Sequence, residues 1–136
     1  MDDRPEEMFQ VLNGETPTSL SKDCSLRCDH QPGMTIFRLA GEFELDSEKR
    51  FQEELERRLE GDVNTFLVDL RGLSFIDSTG LRILVQIDAL ARQDGFDFTV
   101  LCGDGQVRRV LRETGLDGIL PLVDPAGAVP ASDSPV

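Results

Sequence analysis

The 136-residue sequence contains no tryptophan and no tyrosine. Its core must be built from eight phenylalanines together with leucine, isoleucine and valine. Histidine occurs once, as His30, and the three cysteines, Cys24, Cys28 and Cys102, include no Cys-x-x-Cys pair. That inventory argues against a metal site. If residues 24–28 are extended, Cys24 and Cys28 stand roughly 13 Å apart at ~3.3 Å per residue, too far for a disulfide. Three ordinary thiols fit a reducing compartment. No run approaches the ~20 apolar residues of a membrane-spanning helix. The start, Met1-Asp2-Asp3-Arg4-Pro5, is not the basic-then-apolar pattern of a signal peptide. A cytoplasmic protein is expected.

Basic residues are also scarce: 14 Lys and Arg stand against 26 Asp and Glu, for a net charge of −12. Such a surface repels phosphate backbones and anionic lipid, which argues against nucleic-acid and membrane partners. Residues 1–23 carry six acids and two bases, with Pro5 and Pro17 and no sustained apolar period. They are expected to form a flexible acidic N-terminal arm. Residues 124–136, with Pro125, Pro130 and Pro135 among small residues, are expected to form a flexible tail. Between them, residues 24–123 have the length and composition of one α/β domain with its own core.

Within that domain Cys24–Asp29 alternates apolar and polar residues as a half-buried strand does. His30-Gln31-Pro32-Gly33 is a turn signal, and Met34–Ala40 completes a hairpin. Ser47–Glu60 has Phe51, Leu55 and Leu59 at helical spacing, with Ser47 as candidate N-cap and Gly61 as stop. The glutamates between them, Glu53-Glu54 included, are expected on a solvated face. Thr65–Leu70 is nearly continuous in apolar residues and reads as a central strand, followed by a loop over 71–77. A broadly apolar helix over Ser78–Asp94 is stopped by Gly95. Phe96–Cys102 is a further strand, and Gln106–Thr114 a helix with Val107, Val110 and Leu111 inward. Ile119–Val123 is a short edge strand, held to the edge by Pro121. The expected architecture is a small mixed sheet of 4–5 strands with helices packed on it, parallel in its later part.

The segment Phe75-Ile76-Asp77-Ser78-Thr79-Gly80-Leu81 carries the chemistry. It lies where a buried strand leads into a helix, beyond the strand's carboxyl end, the usual place for ligand and partner sites in α/β sheets. A helix start has unpaired amides and the positive end of the dipole, so it favours a negative group. A phosphate on Ser78 is expected to sit near the amides of Thr79, Gly80 and Leu81, with Gly80 leaving room for it. Asp77 and Ser78 are equally at home as plain N-caps. Catalysis is not supported. The Gly-x-Ser-x-Gly elbow has Ile76 in place of its first glycine, no phosphate-binding loop is present, and His30 is the sole imidazole base.

The sequence resembles the STAS family, and within it the anti-sigma factor antagonists. Gly41-Glu42-Phe43-Glu44-Leu45-Asp46 is similar to the family's link from an early strand to its first helix. Val68-Asp69-Leu70 followed by residues 75–81 is similar to its phosphorylation block, and Gly115-Leu116 with Ile119-Leu120-Pro121-Leu122 to its C-terminal end. The resemblance implies a single domain with helices on one side of the sheet. It also implies a non-enzymatic protein without a cofactor of its own, switched by phosphorylation at Ser78. The unmodified form binds an anti-sigma factor that has serine kinase activity and so releases the sigma factor. A cognate phosphatase reverses the modification. The implied contact surface is Asp46, Asp77, Ser78, Thr79, Gly80 and Leu81. A STAS scaffold or ligand-binding module without phospho-switching, such as a stressosome or transport accessory subunit, is the alternative.

Overall fold

A computed structural model of the chain describes residues 16–60 and 63–123. The elements, in order, are β1 (Thr18–Ser21), β2 (Cys24–Gln31), β3 (Met34–Phe43), a 3-10 turn (Leu45–Ser47) and α1 (Glu48–Arg58). Then come β4 (Thr65–Ile76), α2 (Ser78–Asp94), β5 (Asp97–Leu101), α3 (Gln106–Glu113), a second 3-10 turn (Leu116–Gly118) and β6 (Leu122–Val123). Six strands form one sheet in sequence order. The pairs β1–β2 and β2–β3 are antiparallel, and the pairs from β3 to β6 are parallel.

The topology decides where the helices lie. Each parallel step advances one position in the same direction, and such crossovers are right-handed. Right-handed steps taken in one direction place every crossover helix on the same face. The main core lies there: Phe37, Leu39, Phe66, Val68, Leu70, Phe98 and Val100 from the strands meet Phe51, Leu55, Ile83, Leu84, Ile87, Val107 and Leu111 from the helices. Aromatic edges hold its centre, with Phe37 at 4.9 Å from Phe66 and 5.8 Å from Phe51, ring centre to ring centre.

Several expectations are corrected. The sheet has six strands rather than four or five, because residues 18–21, assigned to a flexible arm, pair with β2 and bury Leu20. Residues 1–15, 124–136 and Gly61, the expected helix stop, lie outside the described residues. The loop expected over 71–77 is mostly strand, since β4 runs on to Ile76 beside β3 through two register irregularities. Ser47 is no side-chain cap. It is buried, and its hydroxyl donates to Ser21 Oγ at 3.1 Å. Glu54 is buried rather than solvated, paired with Arg57 at 2.5 Å. The three cysteines are free and buried.

One glycine fixes the approach to the site. Gly41 has φ +102°, and a β-carbon there would lie 2.0 Å from the Asp23 carbonyl oxygen. That carbonyl accepts from the Glu42 amide at 2.8 Å. Only a residue without a β-carbon lets the β1–β2 turn close onto β3 at this point.

Candidate functional site

The parallel strands β3 and β4 end side by side, with Phe43 opposite Ile76. The Asp77 amide donates to the Phe43 carbonyl at 3.1 Å, which pins the β4–α2 junction to the end of β3. Asp77 is extended (φ −101°, ψ −174°) and caps α2. Its Oδ1 accepts from the amides of Thr79 at 2.9 Å and Gly80 at 3.3 Å, and its carbonyl accepts from Leu81 at 3.1 Å. The choice between Asp77 and Ser78 as cap is thereby settled in favour of Asp77.

This changes how the site works. The amides expected to cradle a phosphate already have partners, so a group on Ser78 meets no vacant amides at Thr79, Gly80 or Leu81. Gly80 is buried, and it leaves room not for a ligand but for Ile76 and Phe43, which a β-carbon would meet at 2.6 and 2.9 Å. Thr79 and Leu81 are buried as well. Ser78, the first residue of α2, is exposed. Its hydroxyl makes no hydrogen bond among the described residues, which leaves it open to a partner.

The surroundings are acidic. Glu44 is half-buried at the end of β3. Its carboxyl is pushed above the usual range by desolvation and then by the carboxylates of Glu42, Asp46, Asp77 and Asp23. The structure therefore brings Asp46 and Asp77 into one negative cluster around Glu44. The nearest cation on the same helix face is Arg82, one turn beyond Ser78. It donates to Glu48 Oε2 at 3.3 Å, tying α2 to the start of α1.

The 3-10 turn adds a residue that sequence reasoning passed over. Leu45 is 67% exposed, the most exposed of the large apolar residues described. It sits between Glu44 and Asp46, beside the cap. An apolar residue in an otherwise acidic run was the available signal.

Comparisons with known proteins agree with this geometry. The STAS domain family profile matches residues 25–126, about three quarters of the chain. The chain belongs to the STAS domain family. An anti-sigma F factor antagonist from Paenibacillus polymyxa is 26% identical over 100 residues, covering 73% of this chain and 86% of that protein. Two solved structures share the fold. One is an anti-sigma factor antagonist from Mycobacterium paratuberculosis, with TM-score 0.62 and 21% identity over 79% of this chain and 89% of that one. The other is the anti-sigma factor antagonist SpoIIAA in its unphosphorylated form, with TM-score 0.65 and 19% identity over 75% and 89%. The STAS α/β sheet expected from the sequence is the fold observed.

Among the described residues no group of His, Cys, Asp and Glu is arranged to hold a metal ion, and no helix is long and apolar enough to cross a membrane.

Proposed function

We propose that this STAS protein is a cytoplasmic, non-enzymatic anti-sigma factor antagonist, switched by phosphorylation of Ser78. In the unmodified state its Ser78 face binds an anti-sigma factor with serine kinase activity, and the sigma factor is released. The kinase then modifies Ser78 and the complex weakens; a phosphatase restores it. The exposed, unbonded Ser78 hydroxyl carries the reading, because it has no structural task of its own once Asp77 caps the helix.

The electrostatics supply the switch. A phosphate adds about −1.5 to −2 charges at neutral pH. Asp77 already holds the helix amides, so the new charge stays at the surface, next to Asp77 and near Glu44. A partner surface matched to a neutral hydroxyl then faces an unpaired anion, at a cost on the order of 1–3 kcal/mol. That is a tenfold to hundredfold loss of affinity at about 1.4 kcal/mol per tenfold. Leu45 and Asp46 sit at the rim of the contact, with Leu45 as its apolar anchor; buried Thr79, Gly80 and Leu81 shape the surface from beneath.

Capture from native lysate tests the reading. Wild-type bait should retain an ATPase of the anti-sigma kinase class, and Ser78→Glu bait should lose it. Phosphate should be found on Ser78 and be absent from Ser78→Ala protein. Retention of the same protein by both baits, or modification of Ser78→Ala protein, would refute it.

A further inference from the structure

A phosphate on Ser78 must find a receiver within this chain or stand in water. The helix amides do not receive it. Asp77 Oδ1 accepts from the Thr79 amide at 2.9 Å and the Gly80 amide at 3.3 Å, and the Leu81 amide donates to the Asp77 carbonyl at 3.1 Å. The carboxylates gathered around Glu44, Asp46 and Asp77 among them, repel it. Arg82 is the cation in reach. It stands four residues beyond Ser78 in α2, and side chains so spaced lie over one another with β-carbons about 5–6 Å apart. An anion at the earlier position and a cation at the later one is also the order that the helix dipole favours. Ser78 is exposed, and half of the Arg82 side chain is open to solvent.

Arg82 is held, but loosely. Its Nη1 and Nη2 both donate to a single oxygen, Glu48 Oε2, at 3.4 and 3.3 Å. Strong charge-assisted bonds are shorter and use both carboxylate oxygens. Arg38, by contrast, reaches Asp29 at 2.8 Å and Asp69 at 2.9 Å. A phosphate offers three acceptor oxygens and about −1.5 to −2 charges against the single charge of Glu48. The two helices do not depend on the pair. One turn further along, Gln52 Nε2 donates to Gln86 Oε1 at 3.3 Å and ties α1 to α2 again.

We propose that Arg82 holds the phosphate of the modified chain, turning from Glu48 on α1 to phosphorylated Ser78 on α2; the proposal rests on the reading of Ser78 as the modified residue. The face then changes at two points instead of one. A phosphate appears at Ser78, and Glu48 gives up its cation. Glu48 opens α1 directly after the 3-10 turn that bears Leu45 and Asp46, so the event at Ser78 is carried to that rim. The new pair lies within the chain, so the phosphate still brings no counter-charge to a partner surface matched to a neutral hydroxyl. The fold stays as it was, because the Gln52–Gln86 bond and the core beneath are untouched.

The test uses the full chain and needs no kinase. Phosphoserine is placed at position 78 during translation, and the second ionisation of the phosphate is followed by phosphorus NMR. Glu44, Asp46, Asp77 and the helix start act on the phosphate alike with Arg82 present or replaced, so the difference isolates Arg82. Arg82→Gln should raise the second pKa by about half a unit, and Arg82→Lys should restore part of the shift. Glu48→Gln frees Arg82 and should lower the value, an effect that should shrink when Arg82→Gln is also present. The Arg82 Nε–H signal should move with the same midpoint as the phosphate. A second pKa unchanged by Arg82→Gln, or an Arg82 signal that ignores the titration, would overturn the proposal. Kinase binding tests the switch itself separately: equal affinity of the bare and phosphorylated chains would refute the switch, while the Arg82 pair stands or falls on the titration alone.

Discussion

Gly80→Ala probes the junction that presents Ser78. The added β-carbon would lie 2.6 Å from Ile76 Cγ1, 2.8 Å from Ile76 Cδ1 and 2.9 Å from Phe43 Cδ1. Carbon atoms rest at about 3.5–4.0 Å, so all three contacts must open by roughly an ångström. Ile76 and Phe43 are both buried and have no open space to swing into. Overpacking of this kind costs about 1–3 kcal/mol. Alanine returns up to about 1 kcal/mol of helix propensity relative to glycine. The net expectation is a loss of about 1–2 kcal/mol, a fall in Tm of several degrees at about 4–8 °C per kcal/mol for a domain of this size. The chain lacks Trp and Tyr, so urea unfolding is followed by far-ultraviolet circular dichroism rather than by intrinsic fluorescence. Gly118→Ala is the control, because a β-carbon there meets nothing within 4 Å. Ile76→Val removes one of the clashing atoms, so the double variant should recover part of the loss, with coupling of at least about 0.5 kcal/mol. Stabilisation by Gly80→Ala, or strict additivity with Ile76→Val, would refute the packing argument.

Asp77→Ala frees the Thr79 and Gly80 amides and should cost about 1 kcal/mol, whereas Ser78→Ala should stay within about ±0.5 kcal/mol; urea titration of both variants separates cap from modification site. Leu84→Ala, at 2% exposure, should cost roughly 2–5 kcal/mol in the same assay, and a cost below about 1 would mean the side chain is not in the core. Burial alone would raise the Asp69 carboxyl, but hydrogen bonds from Arg71 and the charges of Arg71 and Arg38 outweigh it and hold it below the usual range. A depressed folded value means that its stabilisation is complete above the unfolded value of about 3.9 and fades as pH falls through the lower folded one. Asp69→Asn should therefore be less stable at neutral pH and show a shallower loss of stability below about pH 4. Burial, foremost, pushes the Cys24 thiol up to about 11, and all three cysteines are buried, so a thiol reagent at pH 8 should react with none of them until the chain is unfolded.

The parts of the fold that were legible in the sequence are those with a dense apolar pattern. Ser78–Asp94 was bounded correctly because its apolar residues run through five turns and Gly95 ends them in the left-handed region, at φ +80°. β1 was missed because Thr18-Ser19-Leu20-Ser21 offers a single apolar residue, all that an edge strand with one buried position needs. The far half of β4 was missed because Arg71-Gly72 looks like a break; the sheet absorbs it through register irregularities opposite Ala40 and Gly41. At the site, the motif located the helix start, but local chemistry alone could not rank Asp77 against Ser78 as cap. The ranking depends on the extended backbone at Asp77 and on its bond to Phe43, a contact across 34 positions of sequence. The same long-range packing turned Gly80 from a supposed opening into a contact with Phe43 and Ile76.

Calorimetric titration of the bare and the Ser78-phosphorylated protein against the anti-sigma kinase recovered from lysate tests the central claim most directly. The account predicts tight binding of the bare form and an affinity about tenfold to hundredfold lower for the phosphorylated form, with both forms equally folded by circular dichroism. Equal affinities for the two forms would contradict it.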